Sequence, residues 1–343
     1  MQDGVKKLAK RRRLTKKQRR QRNRWLFGLL LASILFFVGY LTGRRDVDFS
    51  QIQGKLDVAI ARIEERVDHL NQPQKNSSNK NLEAVEDTSQ IHIFDVGQGA
   101  STLYLSRDGT SILVDTGRHD DSEKRIISYL DEHIGLGEEL DLLIFTHNHS
   151  DHIGHGDLVL EYFDVQEVWM NGMDHTSQIY SDLLDALLLS DATYAEPKAG
   201  EYFVRGIFKI DVLHPEENSP QKDSNDESIV TRFEFDGLSL MTSGDASIPR
   251  ENDIVARNHN LRSDLMVLGH HGAGNSTGEE WIQAVRPQMA FYQAGIDNSY
   301  GHPHPDTIER LENAGIPIYG TDELGSISIY IDEAGEVTVE TER

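Results

Sequence analysis

The sequence predicts an α/β fold from residue 90 to the end, with two sheets packed together and helices outside. Three observations carry this expectation. The stretch opens with short strand patterns separated by glycine turns, Ile91–Asp95, Ser101–Ser106 and Ser111–Asp115. Strands and helices then alternate through about residue 188. After a return to paired strands at 201–213 and 228–243, the alternation resumes. Two halves, each of strands followed by helices, suit two sheets that share one core and cover their outer faces with helices.

Element by element, the pattern predicts a helix over 122–133, a buried strand over 142–145, and a helix over 155–163. A strand over 165–170 and a helix over 177–188 complete the first half. The second half predicts a helix over 247–257, a strand over 264–268, a helix over 278–284, a strand over 289–292 and a helix over 305–314. Closing strands are expected near 317–319 and 326–330. Pro305 fits the first turn of its helix.

The front of the chain is of a different kind. The first 24 residues hold twelve of the 34 Lys and Arg and one of the 57 acids. This leaves 22 basic against 56 acidic residues, a net charge of −34, for residues 25–343. Trp25 to Thr42 is uncharged and mostly apolar, long enough as a helix to cross a bilayer core of about 30 Å. The basic block at 1–24 is then expected on the cytoplasmic side, which puts the C-terminal bulk outside the cell. A cleaved signal peptide is the rival reading, but Tyr40-Leu-Thr-Gly-Arg-Arg45 is a poor cleavage site, so an uncleaved single-pass anchor is favoured.

Residues 43–89 read as a helical stalk followed by a linker. Phe49, Leu56, Ile63 and Leu70 recur every seven residues, with Ile52 and Ala59 between them. This 49–70 helix either pairs with a second copy, making a homodimer, or lies as a stalk against the following domain. Pro73, Ser77, Ser78 and several Asn mark a flexible linker after it.

Chemistry concentrates at Thr146–His155. His147, His149, Asp151 and His152 fall within six residues, just after the buried strand. Imidazole and carboxylate suit zinc and its first-row neighbours. The absence of Cys excludes thiolate sites and disulfides. The spacing lets His147 and His149 aim at one metal while Asp151 and His152 turn toward a second. Two such ions can share a water and make it a hydroxide at neutral pH. Other candidates also sit at strand ends: Asp245, then His270 and His271, then His302 and His304. Taken singly, Asp245 could equally be a helix cap, and His302 and His304 ordinary turn residues.

In order, Asp95-Val-Gly-Gln-Gly99, Val114-Asp-Thr-Gly117, His147-x-His-x-Asp-His152, Gly244-Asp245, His270-His-Gly272 and Gly301-His-Pro-His304 resemble the metallo-β-lactamase superfamily. Within it, the chain is similar to the hydrolase domain at the C-terminus of competence DNA-uptake channel proteins. The likeness spans 90–343, about three quarters of the chain. It implies an αββα sandwich, here preceded by a single transmembrane helix, with two divalent metal ions at the sheet edges; zinc is expected, with manganese as the alternative. By the resemblance, His147 and His149 hold one metal, Asp151 and His152 the other, and Asp245 bridges both. His271 and either His302 or His304 complete the shells, with His214 or His175 as further candidates. His270 faces the substrate, so catalysis is expected to rest on His270, Asp151 and Asp245. Asp95 and Asp115 are expected to order loops and orient imidazoles from behind. Asn225 and Ser228 match an Asn-rich family segment, although a solvated loop is the favoured reading. Ala100 stands where the branch has an acid.

The expected activity is metal-dependent hydrolysis of a phosphoester or phosphodiester outside the membrane. A nuclease tied to DNA uptake is an alternative, disfavoured by the charge of −34. The alternative from another class is a non-catalytic metal-binding envelope module.

Overall fold

The computed structural model describes residues 88–219, 223–257, 260–332 and 335–343. The basic block, the apolar segment 25–42, the 49–70 helix and nearly all of the linker lie outside the described residues. Among the described residues no helix is long and apolar enough to cross a membrane.

Two sheets make the body. The first has eight strands in the order β17 (Val337–Thr341), β16 (Ile327–Ile331), β1 (Ser89–Ile93), β2 (Thr102–Leu105), β3 (Ser111–Val114), β5 (Leu142–Ile144), β7 (Glu167–Trp169) and β8 (Thr193–Ala195). The second has seven, β15 (Ile318–Gly320), β14 (Met289–Tyr292), β13 (Leu265–Val267), β12 (Leu238–Thr242), β11 (Val230–Phe235), β10 (Phe208–His214) and β9 (Tyr202–Arg205). A separate two-stranded sheet, β4 (Glu139–Leu140) with β6 (Asp164–Val165), packs Leu140 and Val165 into the core beside the first sheet.

Side-chain alternation sets the layers. In β5, Leu142 and Ile144 face the core between the sheets, against Phe208, Phe233, Leu240 and Phe291 of the second sheet. Leu143 and Phe145 point the other way. They pack under α1 (Arg125–His133), α2 (Gly156–Tyr162) and α3 (Gln178–Leu189) through Ile126, Leu130, Val159 and Leu183. Burial on both faces is why β5 reads as a continuous apolar run. The outer face of the second sheet is covered in the same way by α4 (Ile248–Ala256) and α5 (Glu279–Val285), through Ile254, Trp281, Ile282 and Val285, and by Leu311 of α6 (Pro305–Asn313). A short α7 (Thr321–Leu324) follows β15. The layers are therefore helix, sheet, sheet, helix, as expected.

The parallel strands position the chemistry. β3, β5 and β7 run parallel in the first sheet, and β12, β13, β14 and β15 in the second. Loops leaving the C-terminal ends of β3, β5, β12 and β13 carry Asp115, the His147–His152 cluster, Asp245 and His270–His271 respectively. Crevices at the carboxyl ends of parallel strands are where α/β folds gather ligand-binding loops.

Candidate metal centre

Donor atoms of His147, His152 and Asp245 lie within 4.8 Å of one another, and so do those of Asp151, His152 and His271. His152 belongs to both groups, so the two positions are neighbours. Asp245 Oδ1 is 3.2 Å from His152 Nε2, and its Oδ2 is 3.6 Å from His147 Nε2 and 3.5 Å from His270 Nε2. On the other side, Asp151 Oδ2 is 3.5 Å from His271 Nε2.

The imidazoles are held from behind. Asp115 Oδ2 accepts from His152 Nδ1 at 2.8 Å and from Thr146 Oγ1 at 2.7 Å, while its Oδ1 accepts from Thr146 N at 2.8 Å. His271 Nδ1 donates to the Gln293 carbonyl at 2.9 Å. These bonds fix the proton on Nδ1 and turn the Nε2 lone pairs inward. The Nε2 atoms of His147, His152 and His271 are buried without a hydrogen-bond partner. Buried polar atoms are ordinarily paired, so three unpaired imidazole nitrogens converging beside two carboxylates fit a divalent cation.

Charge reinforces the geometry. Burial opposes ionisation of Asp245, but the imidazoles of His152 and His147 hold its pKa well below the usual carboxylate range. Burial likewise opposes a charge on His152, yet Asp245 and Asp115 outweigh it and hold its pKa well above the usual value, so without a cation Nε2 carries a proton toward Asp245 that metal binding would have to displace. Burial, with His152 beside it, pushes His147 well below. Asp151 stays ionised against its own burial through His271 and His152.

Backbone conformation does part of the aiming. His270 and His271 have φ of 52° and 56°, a left-handed region that costs a side-chain-bearing residue of order 1–3 kcal/mol. The turn is tied down by His270 N donating to the Gly244 carbonyl at 2.9 Å and Gly269 N to Thr277 Oγ1 at 3.0 Å. Gly244 is itself left-handed at φ 52°, and a Cβ there would stand 2.8 Å from the Ser228 side chain.

The other candidates lie around these two groups. His149 lies in neither group; its ring stands edge-on to His147 at 4.7 Å and to His175 at 6.0 Å. His302 is also outside both, with its ring 5.6 Å from His270 and 6.1 Å from His271. Burial and these neighbours push its pKa down to about 4. His304 is 46% exposed and caps α6, its Nδ1 accepting from Asp306 N at 3.2 Å. The sequence holds the reason, because Pro305 at the first helical position makes residue 304 the N-cap.

Ser228 is not in a solvated loop: it is fully buried, accepts from Asp245 N at 3.0 Å and lies 3.4 Å from His147 Nδ1. Asp95 orders a loop, accepting from Gly97 N and Arg125 and pairing with Arg343, with no imidazole among these partners. Ala100 lines a cavity of about 20 Å³, roughly one water's worth, beside Asp115, His152, Asp245 and His271. Gln98 was not singled out in the sequence; its Nε2 donates to His302 Nδ1 at 3.4 Å.

His214 is outside both groups, buried at the end of β10 with Nε2 3.7 Å from Glu227. Burial, with Arg250 and Arg257 nearby, pushes its pKa down to about 3 from 6.5. A folded pKa below the unfolded one contributes stability above pH 6.5 that is lost as pH falls toward 3. Between pH 6.5 and 5 this amounts to about 2 kcal/mol. Urea titrations at the two pH values should therefore show the wild type losing about 2 kcal/mol more than His214→Gln. Equal losses would discard this account, and bound metal should be the same in both proteins.

Residues 94–287 match the metallo-beta-lactamase superfamily, and the chain belongs to it. Among characterised relatives, it is 29% identical over 267 residues to ComE operon protein 3 of Bacillus subtilis, covering 73% of this chain and 34% of that protein. It is 28% identical over 251 residues to competence protein ComA of Neisseria gonorrhoeae, covering 73% and 33%. The chain thus spans about a third of the length of the curated relatives it matches. Among solved structures, the metallo-beta-lactamase fold protein YhfI of Bacillus subtilis aligns with a TM-score of 0.46 at 13% identity, over 74% of this chain and all of that one.

Proposed function

We propose that the protein is a membrane-anchored, metal-dependent hydrolase that cleaves a phosphoester or phosphodiester outside the membrane. The observation that carries this reading is the pair of donor groups sharing His152, with three buried, unpartnered imidazole nitrogens between Asp245 and Asp151. His147, His152 and Asp245 would hold one divalent ion and Asp151, His152 or Asp245, and His271 the other, with His149 and His302 close by. Nitrogen and oxygen donors without thiolate suit zinc, and manganese as the alternative. When bound, such divalent ions would lower the pKa of a coordinated water and neutralise charge on a phosphoryl group.

The chain's own groups supply the rest. Asp115 and the Gln293 carbonyl fix the imidazole tautomers. Asp245 stays anionic between its imidazoles. His270, with its side chain 22% exposed and Nε2 3.5 Å from Asp245, is placed to donate a hydrogen bond to a developing oxyanion or a proton to the leaving group. The segment Trp25–Thr42 supplies the anchor, and the 49–70 helix a route to a homodimer.

A second reading, an extracellular nuclease linked to DNA uptake, is favoured by the similarity to a protein named for competence. The net charge of −34 over residues 25–343 works against a polyanionic substrate. One experiment separates these. The full-length chain, with zinc or manganese added, is assayed at low salt on bis(p-nitrophenyl) phosphate, a lactone, and single- and double-stranded DNA. Metal-dependent release from the small diester without DNA cleavage is the expected result. Cleavage of DNA would favour the nuclease, and failure on every substrate by a metal-loaded protein would favour a non-catalytic module.

A further inference from the structure

A fully buried carboxylate stands behind the second sheet, outside the donor groups. Glu251 of α4 is 0% exposed, and its two oxygens each take a backbone N–H of the loop that precedes α5. Oε1 accepts from Thr277 N at 2.7 Å and Oε2 from Gly278 N at 2.8 Å. Burial pushes its carboxyl up to about 7, against the pull of these two N–H groups and Arg310. A carboxyl raised from 4.5 in this way lowers stability as pH rises through 7, so its charge is a cost to the fold.

What Glu251 holds is a strained residue. Thr277 is fully buried with φ of 56°, a left-handed conformation in which a β-branched side chain is an outlier. Such strain persists only where the surroundings fix it, and it clusters at functional sites. In this conformation Thr277 Oγ1 accepts from Gly269 N at 3.0 Å, and Gly269 opens the left-handed turn of His270 and His271. The packing is close, since a Cβ at Gly269 would stand 3.1 Å from the Ser276 side chain. The loop is tied on both flanks. Ser276 Oγ donates to the Ala246 carbonyl at 2.7 Å, while Thr307 Oγ1 donates to the Ala273 carbonyl and Arg310 Nη2 to the Ser276 carbonyl, both at 2.9 Å.

We propose that Glu251 and Thr277 are positioning residues for the metal centre. Glu251 clamps Thr277 in its left-handed conformation, and the Thr277 hydroxyl sets the turn that aims His271 at Asp151 and His152. This rests on the metal-centre reading and adds two residues that supply no donor atom themselves. The clamp bears on the donor group of Asp151, His152 and His271. Asp245, in the other group, has its own tie from its N–H to Ser228 Oγ at 3.0 Å.

The test isolates one hydroxyl. Thr277→Val keeps the branching of the side chain and removes the acceptor, whereas Thr277→Ser keeps the hydroxyl. Zinc binding by the full-length chain, measured in competition with a chelator, should show one of two ions held about tenfold more weakly in Thr277→Val. Thr277→Ser should bind both as the wild type does. Glu251→Gln turns an NH2 toward a backbone N–H and should reproduce Thr277→Val, which also carries the comparison if the valine variant does not fold. Equal zinc affinity in Thr277→Val and Thr277→Ser overturns the proposal even if the valine variant melts lower, because a purely structural role moves stability and spares the affinity of the folded protein. Hydrogen exchange in the metal-free protein keeps this apart from the metal reading. The His270 amide, bonded to the Gly244 carbonyl at 2.9 Å, should lose protection in Thr277→Val and keep it in Thr277→Ser. Equal protection in the two variants overturns the clamp. A wild type that binds no zinc yet shows this contrast would keep the clamp on the turn and lose the metal reading.

Discussion

Asp245→Ala should lower kcat/KM on a phosphodiester by at least about a thousandfold while the domain stays folded. Asp245 is 3% exposed, and its carboxylate is the group that approaches His147, His152 and His270 together. Removing it takes away the carboxylate of the donor group it shares with His147 and His152 and leaves those imidazoles without its charge. The fold should survive because the tie that holds this loop, Asp245 N to Ser228 Oγ, is a backbone bond that Ala keeps. Circular dichroism and bound metal, measured on the same preparation, distinguish a lost ligand from a lost fold. A folded variant that retains its metal and turns over within tenfold of the wild type would remove Asp245 from the centre.

Much of the fold was legible because its strands are buried on both sides. Leu142 to Phe145 can only alternate between two apolar layers, and the structure sends Leu142 and Ile144 one way and Leu143 and Phe145 the other. What stayed hidden is what has no local signal. β8 is a Thr-Tyr-Ala edge strand whose first two residues are exposed, so it lacks alternation. β4 and β6 are two residues each, too short for any period to register. β17 is mostly exposed and joins only β16, which itself crosses from the end of the chain to pair with β1. Pairings between residues more than two hundred positions apart leave no periodicity to read.

The site divides in the same way. His147, His152 and Asp151 were legible because a polar run of ligating residues directly after a buried strand has few other uses. That His147 joins a donor group with His152 and Asp245 while His149 joins neither group was not. It depends on the turn closed by His152 N and Ile153 N on the His149 carbonyl, both at 3.0 Å, which spacing along the chain does not encode. Ser228 was missed because Asn-Asp-Glu-Ser has the composition of a solvated loop. The Ile-Val pair immediately after it, both fully buried, was the available sign that the chain had already turned inward. Gln98 carried no sign, since its partner His302 lies 204 residues away.

Asp115→Asn should weaken metal binding about ten- to hundredfold without removing any residue of the donor groups. The wild-type carboxylate accepts three hydrogen bonds, from His152 Nδ1, Thr146 Oγ1 and Thr146 N. An amide keeps one oxygen, so its NH2 must face a former donor. Turned toward Thr146 N, it leaves two donors in conflict, at a cost of about 1–3 kcal/mol of stability. Turned toward His152, it donates to Nδ1 and drives the imidazole proton to Nε2, the atom that faces Asp245. The ring then presents a hydrogen where a cation needs a lone pair. Competition against a chelator measures the affinity, and the decisive contrast with Asp245→Ala is recovery. Saturating metal should restore most of the turnover in Asp115→Asn, whose donor atoms are all present, and little in Asp245→Ala, whose carboxylate is gone. If Asp115→Asn binds metal as tightly as the wild type, the Nε2 lone pair of His152 does not depend on Asp115 and the tautomer argument fails.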